Sequence, residues 1–274
     1  MGDLELFLRP VFALAATLYL GLAIYVARSS AAHTNSVIAF FLFLIGVLVA
    51  GTAFSYGTQD PNIYGIGRVL SFFASGFLPI AFYIVYREYT VGAPGPLIIA
   101  MLSVIPIATT VLALTNSVHN VIWSFAVTPE GVIFSDLTTH YWFSRVHAPF
   151  MYGLFVYTVI SLASRLPSIA PAHRKTIIVL IACAVMPFAI SVSNNFLGLG
   201  SPQFPMTSLT MVVLLPVYWY ASVTLRFFDF RTQVLVPLFQ FRQVRAQTHG
   251  NPPLNKLQYE LSTFQTICHP AWRD

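Results

Sequence analysis

The sequence predicts an all-α membrane protein: a seven-transmembrane helix bundle with its N-terminus outside and its C-terminus in the cytoplasm. Three observations predict it. Six intervals, Pro10 to Ala27, Thr34 to Gln59, Val69 to Tyr86, Tyr89 to Pro129, Val146 to Ser164 and Thr176 to Leu225, contain no Asp, Glu, Lys or Arg. Roughly 20 apolar residues cross a bilayer core, so these intervals have the length of spans and the last has the length of two. The 274 residues are 57% hydrophobic and 8% charged, with mean hydropathy +0.73, which leaves too little polar surface to cover an ordinary soluble domain. Finally, basic residues crowd one set of connections. Arg28, Arg87, Arg165, Arg174 and Lys175 lie in the first, third and fifth, and Arg226, Arg231, Arg242, Arg245, Lys256 and Arg273 follow the last span. The other side holds Asp3, Glu5, Asp60, Glu130 and Asp136, with Arg9, Arg68 and Arg145 only at helix ends. Basic loops stay in the cytoplasm, and an odd number of spans puts the termini on opposite sides, so both arguments give the same orientation.

The first helix, Phe7 to Ala27, is preceded by Asp3 and Glu5 rather than by Lys or Arg, which reads as a retained span and not a signal peptide. Val37 to Tyr56 and Tyr64 to Tyr86 follow, the latter with Arg68 about one turn inside it. The fourth helix, Pro96 to Leu114, runs into the more polar Thr115-Asn-Ser-Val-His-Asn120. Beyond it, Val127-Thr-Pro-Glu-Gly-Val-Ile-Phe134 alternates about a Pro-Glu-Gly turn, which predicts a small β-hairpin in the outer loop between helices four and five. The fifth helix, Phe143 to Ser164, opens with Arg145 and His147. The turn-rich Gly198-Leu-Gly-Ser-Pro-Gln-Phe-Pro205 divides the last interval into Thr176 to Phe196 and Phe204 to Leu225. All are continuous apolar runs without the alternation of barrel strands. Pro79, Pro106, Pro149, Pro187 and Pro216 put one proline inside each of the last five helices, where each removes a backbone hydrogen bond and predicts a kink.

Ionisable and amide side chains at membrane depth are the functional candidates, because apolar surroundings penalise them by several kcal/mol on most scales. Arg68 and Arg145 either snorkel to the outer interface or point into the bundle toward Asp136, Glu130 or an acidic ligand. Asn116, Asn120, Asn194 and Asn195 are read as interhelical hydrogen-bonding groups. Trp123, Tyr141 and Trp142 fit an interfacial aromatic belt. His119, His140 and His147 with Glu130 and Asp136 have metal-ligand chemistry, yet no two of them have the i, i+4 helical spacing of a recognised metal motif, so no metal site and no cofactor are expected. No G-x-S-x-G or H-E-x-x-H pattern occurs, and no catalytic residue is assigned. Cys183 lies within the sixth span and Cys268 in the tail, which argues against a disulfide between them.

Three segments carry a resemblance: Leu114-Thr-Asn-Ser-Val-His-Asn-Val-Ile-Trp123, His147-Ala-Pro-Phe-Met-Tyr-Gly153 and Arg226-Phe-Phe-Asp-Phe-Arg231. Together they resemble the N-terminal seven-transmembrane sensor region found ahead of bacterial histidine kinases. The resemblance covers about Phe7 to Arg231, and L-T-N-x-x-H-x-x-x-W is its most specific part. Ala148-Pro149 stands where that family commonly has Gly-Pro. What it implies is a non-enzymatic sensor of the inner (plasma) membrane, residues 1–231, followed by a short, partly disordered cytoplasmic tail, residues 232–274. The tail holds no Gly-rich ATP lid, and neither His249 nor His269 sits in an H-E-x-x-x-P box, so the kinase is expected downstream or on another chain.

The expected ligand-binding residues are Arg68, Asn116, His119, Trp123, Arg145, His147 and Asn194, beneath the aromatic loop, and the expected signal-relay residues are Phe228 and Asp229. Expected partners are membrane lipids, a small or lipid-like ligand, a cytoplasmic signalling output and a second copy in a homodimer. The charge of +5 is a topology signal and calls for no nucleic acid. A small-solute transporter is the alternative from another class, disfavoured by the lack of an internal repeat. A membrane metalloenzyme using the outer histidines ranks below it. A retinal protein would need an intramembrane lysine, and Lys175 and Lys256 are both cytoplasmic by this topology.

Overall fold

The computed structural model describes residues 2–29, 33–127, 133–136, 140–168, 171–197 and 204–223. The chain divides into a unit Met1–Phe228 and a unit Asp229–Asp274, and every described residue belongs to the first. Helices dominate: α1 (Gly2–Ser29), α2 (His33–Ser55), α3 (Pro61–Thr90), α4 (Pro96–Leu114), the single turn α5 (Asn116–His119), α6 (Ala148–Arg165), α7 (Pro171–Phe196) and α8 (Met206–Val223). Two short strands, β1 (Ser124–Val127) and β2 (Ile133–Asp136), pair antiparallel with Phe125 opposite Ser135. The Pro129-Glu130-Gly131 turn between them lies outside the described residues, as does 198–203 between α7 and α8. Five segments among the described residues are long and apolar enough to cross a membrane: Phe7–Arg28, Ser36–Ser55, Pro61–Glu88, Pro96–Leu114 and Phe143–Arg165. Ile181–Phe196 and Met206–Ala221 are shorter apolar helices.

Local chemistry explains where helix limits depart from the apolar pattern. Helix α3 starts at Pro61 rather than Tyr64 because Asp60 caps it: its Oδ1 accepts the Asn62 N–H at 2.8 Å, and Pro61 occupies the first turn, where a missing N–H is harmless. Helix α7 likewise begins on a proline, Pro171, ahead of the expected Thr176. Pro149 lies inside the helical run 141–165, as the sequence predicts, directly after a π-helical turn, Phe143–His147. A proline gives no N–H to the preceding turn and crowds its carbonyls, and the wider turn is one way to relieve both.

Packing follows from small residues and a few polar pairs. Helices α1, α2 and α3 pack in sequence, α3 also packs on α4 and α6, and α8 packs on α1, α2 and α7. The α2–α3 contact is backbone to backbone. A Cβ on Gly51 would meet the Gly67 carbonyl oxygen at 2.6 Å, and one on Gly67 would meet the Gly51 carbonyl oxygen at 2.5 Å. With Ser55 and Ser71 four residues further along, both helices present small residues at the spacing that lets membrane helices approach closely. Beside this seam, the Thr52 and Ser208 hydroxyls bond at 2.6 Å, and Tyr19 donates its hydroxyl to the Met211 carbonyl at 2.7 Å, tying α8 to α1 and α2. Helix α4 is peripheral. Leu97, Met101, Val104, Ile107 and Val111 are exposed along it, the surface expected where the solvent is lipid. Two apolar clusters result. The larger joins α1, α2, the second half of α3 and α8 with Leu162 of α6 and Cys183 and Ala184 of α7; the smaller gathers Phe72, Ala113, Ile122, Trp123, Phe143 and Ala148.

Candidate functional site

The smaller cluster is built around a loop that turns back into the bundle. After α4, the Thr115 hydroxyl donates to the Val111 carbonyl at 3.0 Å, and α5 ends at Asn120, whose φ of 50° lies in the left-handed region that asparagine tolerates. The reversed chain is held by Asn116, which is 1% exposed. Its Oδ1 accepts the Ile122 N–H at 3.0 Å and the Trp123 N–H at 3.4 Å, while its Nδ2 donates to the Trp123 carbonyl at 2.9 Å. One amide thereby satisfies three backbone groups that burial would otherwise strand. His119 closes the same turn from outside. Its Nδ1 accepts the Val121 N–H at 3.0 Å, so the ring proton lies on Nε2 and is donated to Thr115 Oγ1 at 3.0 Å. Four of the five fixed residues of L-T-N-x-x-H-x-x-x-W thus act together: Thr115 with His119, and Asn116 with Trp123.

The loop delivers Trp123 onto α3. Its ring stacks on Phe72 with centroids 5.4 Å apart and planes 8° from parallel. Phe143 and His147, from the π-helical turn, meet Phe72 edge to face at 6.2 Å and 5.5 Å. Thr109 of α4 anchors that turn: its Oγ1 accepts the Trp142 indole N–H at 3.0 Å and lies 3.3 Å from His147 Nδ1. Gly76, one turn along α3 from Phe72, lets Pro106 of α4 approach closely, since a Cβ there would come within 3.1 Å of Pro106 Cβ, while His147 Cε1 at 3.5 Å would be in ordinary contact. Two donors in this packed assembly stay unused. Trp123 is 2% exposed, yet its Nε1 finds no hydrogen-bond partner among the described residues, and neither does the buried Nε of Arg68. The Arg68 guanidinium carbon lies 5.2 Å from the Phe72 ring centroid, so one aromatic ring adjoins both orphan donors.

Four of the seven expected ligand residues, Arg68, Asn116, Trp123 and His147, therefore belong to one assembly, in which Asn116 is a scaffold. His119 is exposed and ties the loop to itself. Arg145 is exposed. Asn194 is half-buried, and its neighbour Asn195 carries the polar link there, donating to the Tyr152 hydroxyl at 3.0 Å, which in turn bonds the Ser191 hydroxyl at 2.8 Å. Phe228 and Asp229 lie outside the described residues. The three outer histidines make separate bonds, His140 to Ser124 Oγ at 3.2 Å, and among the described residues no three His, Cys, Asp or Glu side chains gather as a metal set. Trp123 does not join an interfacial belt: it is buried, and Trp142 is half-buried with its indole N–H engaged, while Tyr141 alone of the three is largely exposed.

Residue type alone did not single out Phe72, Phe143, Thr109 or Gly76. An aromatic or a threonine in an apolar helix is ordinary, and only Arg68 four residues before Phe72 hints that this face of α3 is special. Residues 11–231 match the model of the family described as the N-terminal 7TM region of histidine kinase. Among curated proteins and among solved structures, nothing matches the chain. The matched region is the sensory module of such kinases, and it spans every element that builds the Phe72–Trp123 assembly. With well over half of its length matched and a tucked loop made by the residues of its most specific segment, the chain belongs to the N-terminal seven-transmembrane region of histidine kinases.

Proposed function

We propose that the Phe72–Trp123 assembly is the input site of a seven-span sensor, with α7 and α8 as spans six and seven, the N-terminus outside and the C-terminus in the cytoplasm of the plasma membrane. In this reading residues 1–231 form the sensor and 232–274 the tail that leads toward a signalling output. A small or lipid-like signal settles against Phe72 and Trp123 and favours one arrangement of the helices around them. The observation that carries the reading is the pair of buried orphan donors, Trp123 Nε1 and Arg68 Nε, both adjoining one aromatic ring, Phe72. Buried donors without partners are rare in native proteins, and the exceptions concentrate where something else binds.

The relay has a short route. Arg68 and Phe72 follow Gly67 on α3, Gly67 touches Gly51 of α2, and Thr52, next in sequence, bonds Ser208 of α8. A ligand that shifts α3 at Phe72 pushes on a contact with no side chains to absorb the movement, so α2 and α8 move with it, and α8 leads toward Phe228 and Asp229. The test is a fusion of a histidine kinase core after Arg231, assayed for autophosphorylation in membrane vesicles. Trp123→Ala and His147→Ala are expected to reset the basal level by roughly fivefold or more, up or down, the range of ordinary allosteric coupling. Basal levels equal to wild type in both correctly inserted variants would refute the assignment.

A further inference from the structure

Resting on that reading, we propose that the ligand is a monoanionic amphiphile: one oxyanion taken by Arg68 and the Trp123 indole N–H, and an apolar chain lying along the half-buried edge of the cluster. Two orphan donors and no orphan acceptor from this cluster appear among the described residues, so the missing partner is an acceptor. A guanidinium edge is shaped for an oxyanion, and an indole N–H adds one further bond to an oxygen. The charge count follows from the surroundings. Phe72, Phe143, Ile122, Val69 and Leu112 of this cluster are apolar, and among the described residues the cation placed against them is Arg68. In a low-dielectric setting a single positive charge is best matched by a single negative one, since a residual charge is heavily penalised. Phe72, Phe143 and Ile122 are covered by the protein itself, so the apolar body lies against the half-buried Val69 and Leu112 at the edge of the cluster.

Carboxylates and phosphodiesters both present a monoanionic oxyanion, so the experiment separates them. The full-length chain is reconstituted in phosphatidylcholine nanodiscs, and equilibrium binding of radiolabelled dodecanoate and dodecanol is measured for wild type, Arg68→Gln and Trp123→Phe. Dodecanoate is expected to bind wild type at least about tenfold more tightly than dodecanol, because a hydrogen-bonded ion pair is worth more than a hydroxyl contact. Arg68→Gln should abolish that preference, with thermal unfolding in the same nanodiscs reporting that the variant is folded. Trp123→Phe should weaken dodecanoate by roughly fivefold to tenfold while keeping the ring stack. Replacing part of the phosphatidylcholine by phosphatidylglycerol identifies a lipid phosphodiester as the source if it displaces dodecanoate, and a free carboxylic acid if it does not; either supports the shared chemistry.

Equal binding of dodecanoate and dodecanol, an undiminished preference in Arg68→Gln, no dodecanoate binding at all, or displacement by acetate at concentrations similar to dodecanoate would each overturn the proposal. The fusion-kinase response of Trp123→Ala and His147→Ala is independent of these results. A sensor for some other ligand would keep that response and fail here, whereas failure of the sensory reading would remove the response whatever binds.

Discussion

Asn116 and Trp123 show how much of this site depends on single side chains. Asn116→Ala strands the Ile122 and Trp123 N–H groups and the Trp123 carbonyl in a buried setting. Each unsatisfied group costs about 1–3 kcal/mol, and partial relaxation brings the expected loss to about 3 kcal/mol in thermal unfolding in detergent. Trp123 separates packing from hydrogen bonding. Trp123→Ala empties the space over Phe72 and is expected to cost about 3–5 kcal/mol, whereas Trp123→Phe keeps the stack and removes a donor with no partner, for a loss under about 1.5 kcal/mol. A Phe variant as unstable as the Ala variant would mean that the indole N–H is already satisfied. His119, exposed and bonded only within its own turn, was attractive as a ligand residue from its type and position, but both of its ring nitrogens are occupied locally.

Among the elements, the α2–α3 seam and the π-helical turn matter most. The seam makes a clean prediction because two glycines two residues apart on α3 differ in surroundings. A Cβ on Gly67 would meet the Gly51 carbonyl oxygen at 2.5 Å, and one on Gly65 would meet nothing within 4 Å. Gly67→Ala must push the helices apart and is expected to lose about 1–3 kcal/mol in the same unfolding assay. Gly65→Ala should be neutral or gain up to about 1 kcal/mol from helix propensity. Matching losses in the two variants would show that the backbones do not touch. The π-helical turn sets the phase between Trp142 and His147, both directed at Thr109 from either side of one wide turn. The apolar run showed that a helix starts near Phe143 but carried no sign of that extra residue in the turn, because hydropathy has no term for hydrogen-bond register.

For the whole molecule, membrane insertion and orientation are the testable properties. Val104, 62% exposed on the peripheral α4, faces the surroundings that a bilayer would fill. Val104→Arg is expected to disfavour insertion by about 3 kcal/mol and to raise the alkali-extractable fraction of the protein. Orientation is read from the two cysteines. Cys183 is buried and should be silent, whereas Cys268, after the last span, should react with a membrane-impermeant maleimide only once sealed right-side-out cells are opened. Labelling of Cys268 in intact cells would invert the topology.

The amino-acid sequence by itself determined the membrane character, the approximate helix limits and the family, and it identified L-T-N-x-x-H-x-x-x-W as the segment of interest. These properties depend on local composition: apolar length, cap residues such as Asp60 and Pro61, and the side chains of one short loop. The tertiary structure alone decided that Trp123 turns inward onto Phe72 instead of resting at an interface, that His119 and Arg145 stay outside while His147 goes in, and that Gly51 and Gly67 put two backbones in contact. The contacts behind them join residues of different elements, Gly51 with Gly67, Phe72 with Trp123 and Phe72 with His147, so no periodicity along one segment encodes them. The orphan donors depend on the same packing, for whether Arg68 and Trp123 lack partners is settled by what the rest of the bundle places around them.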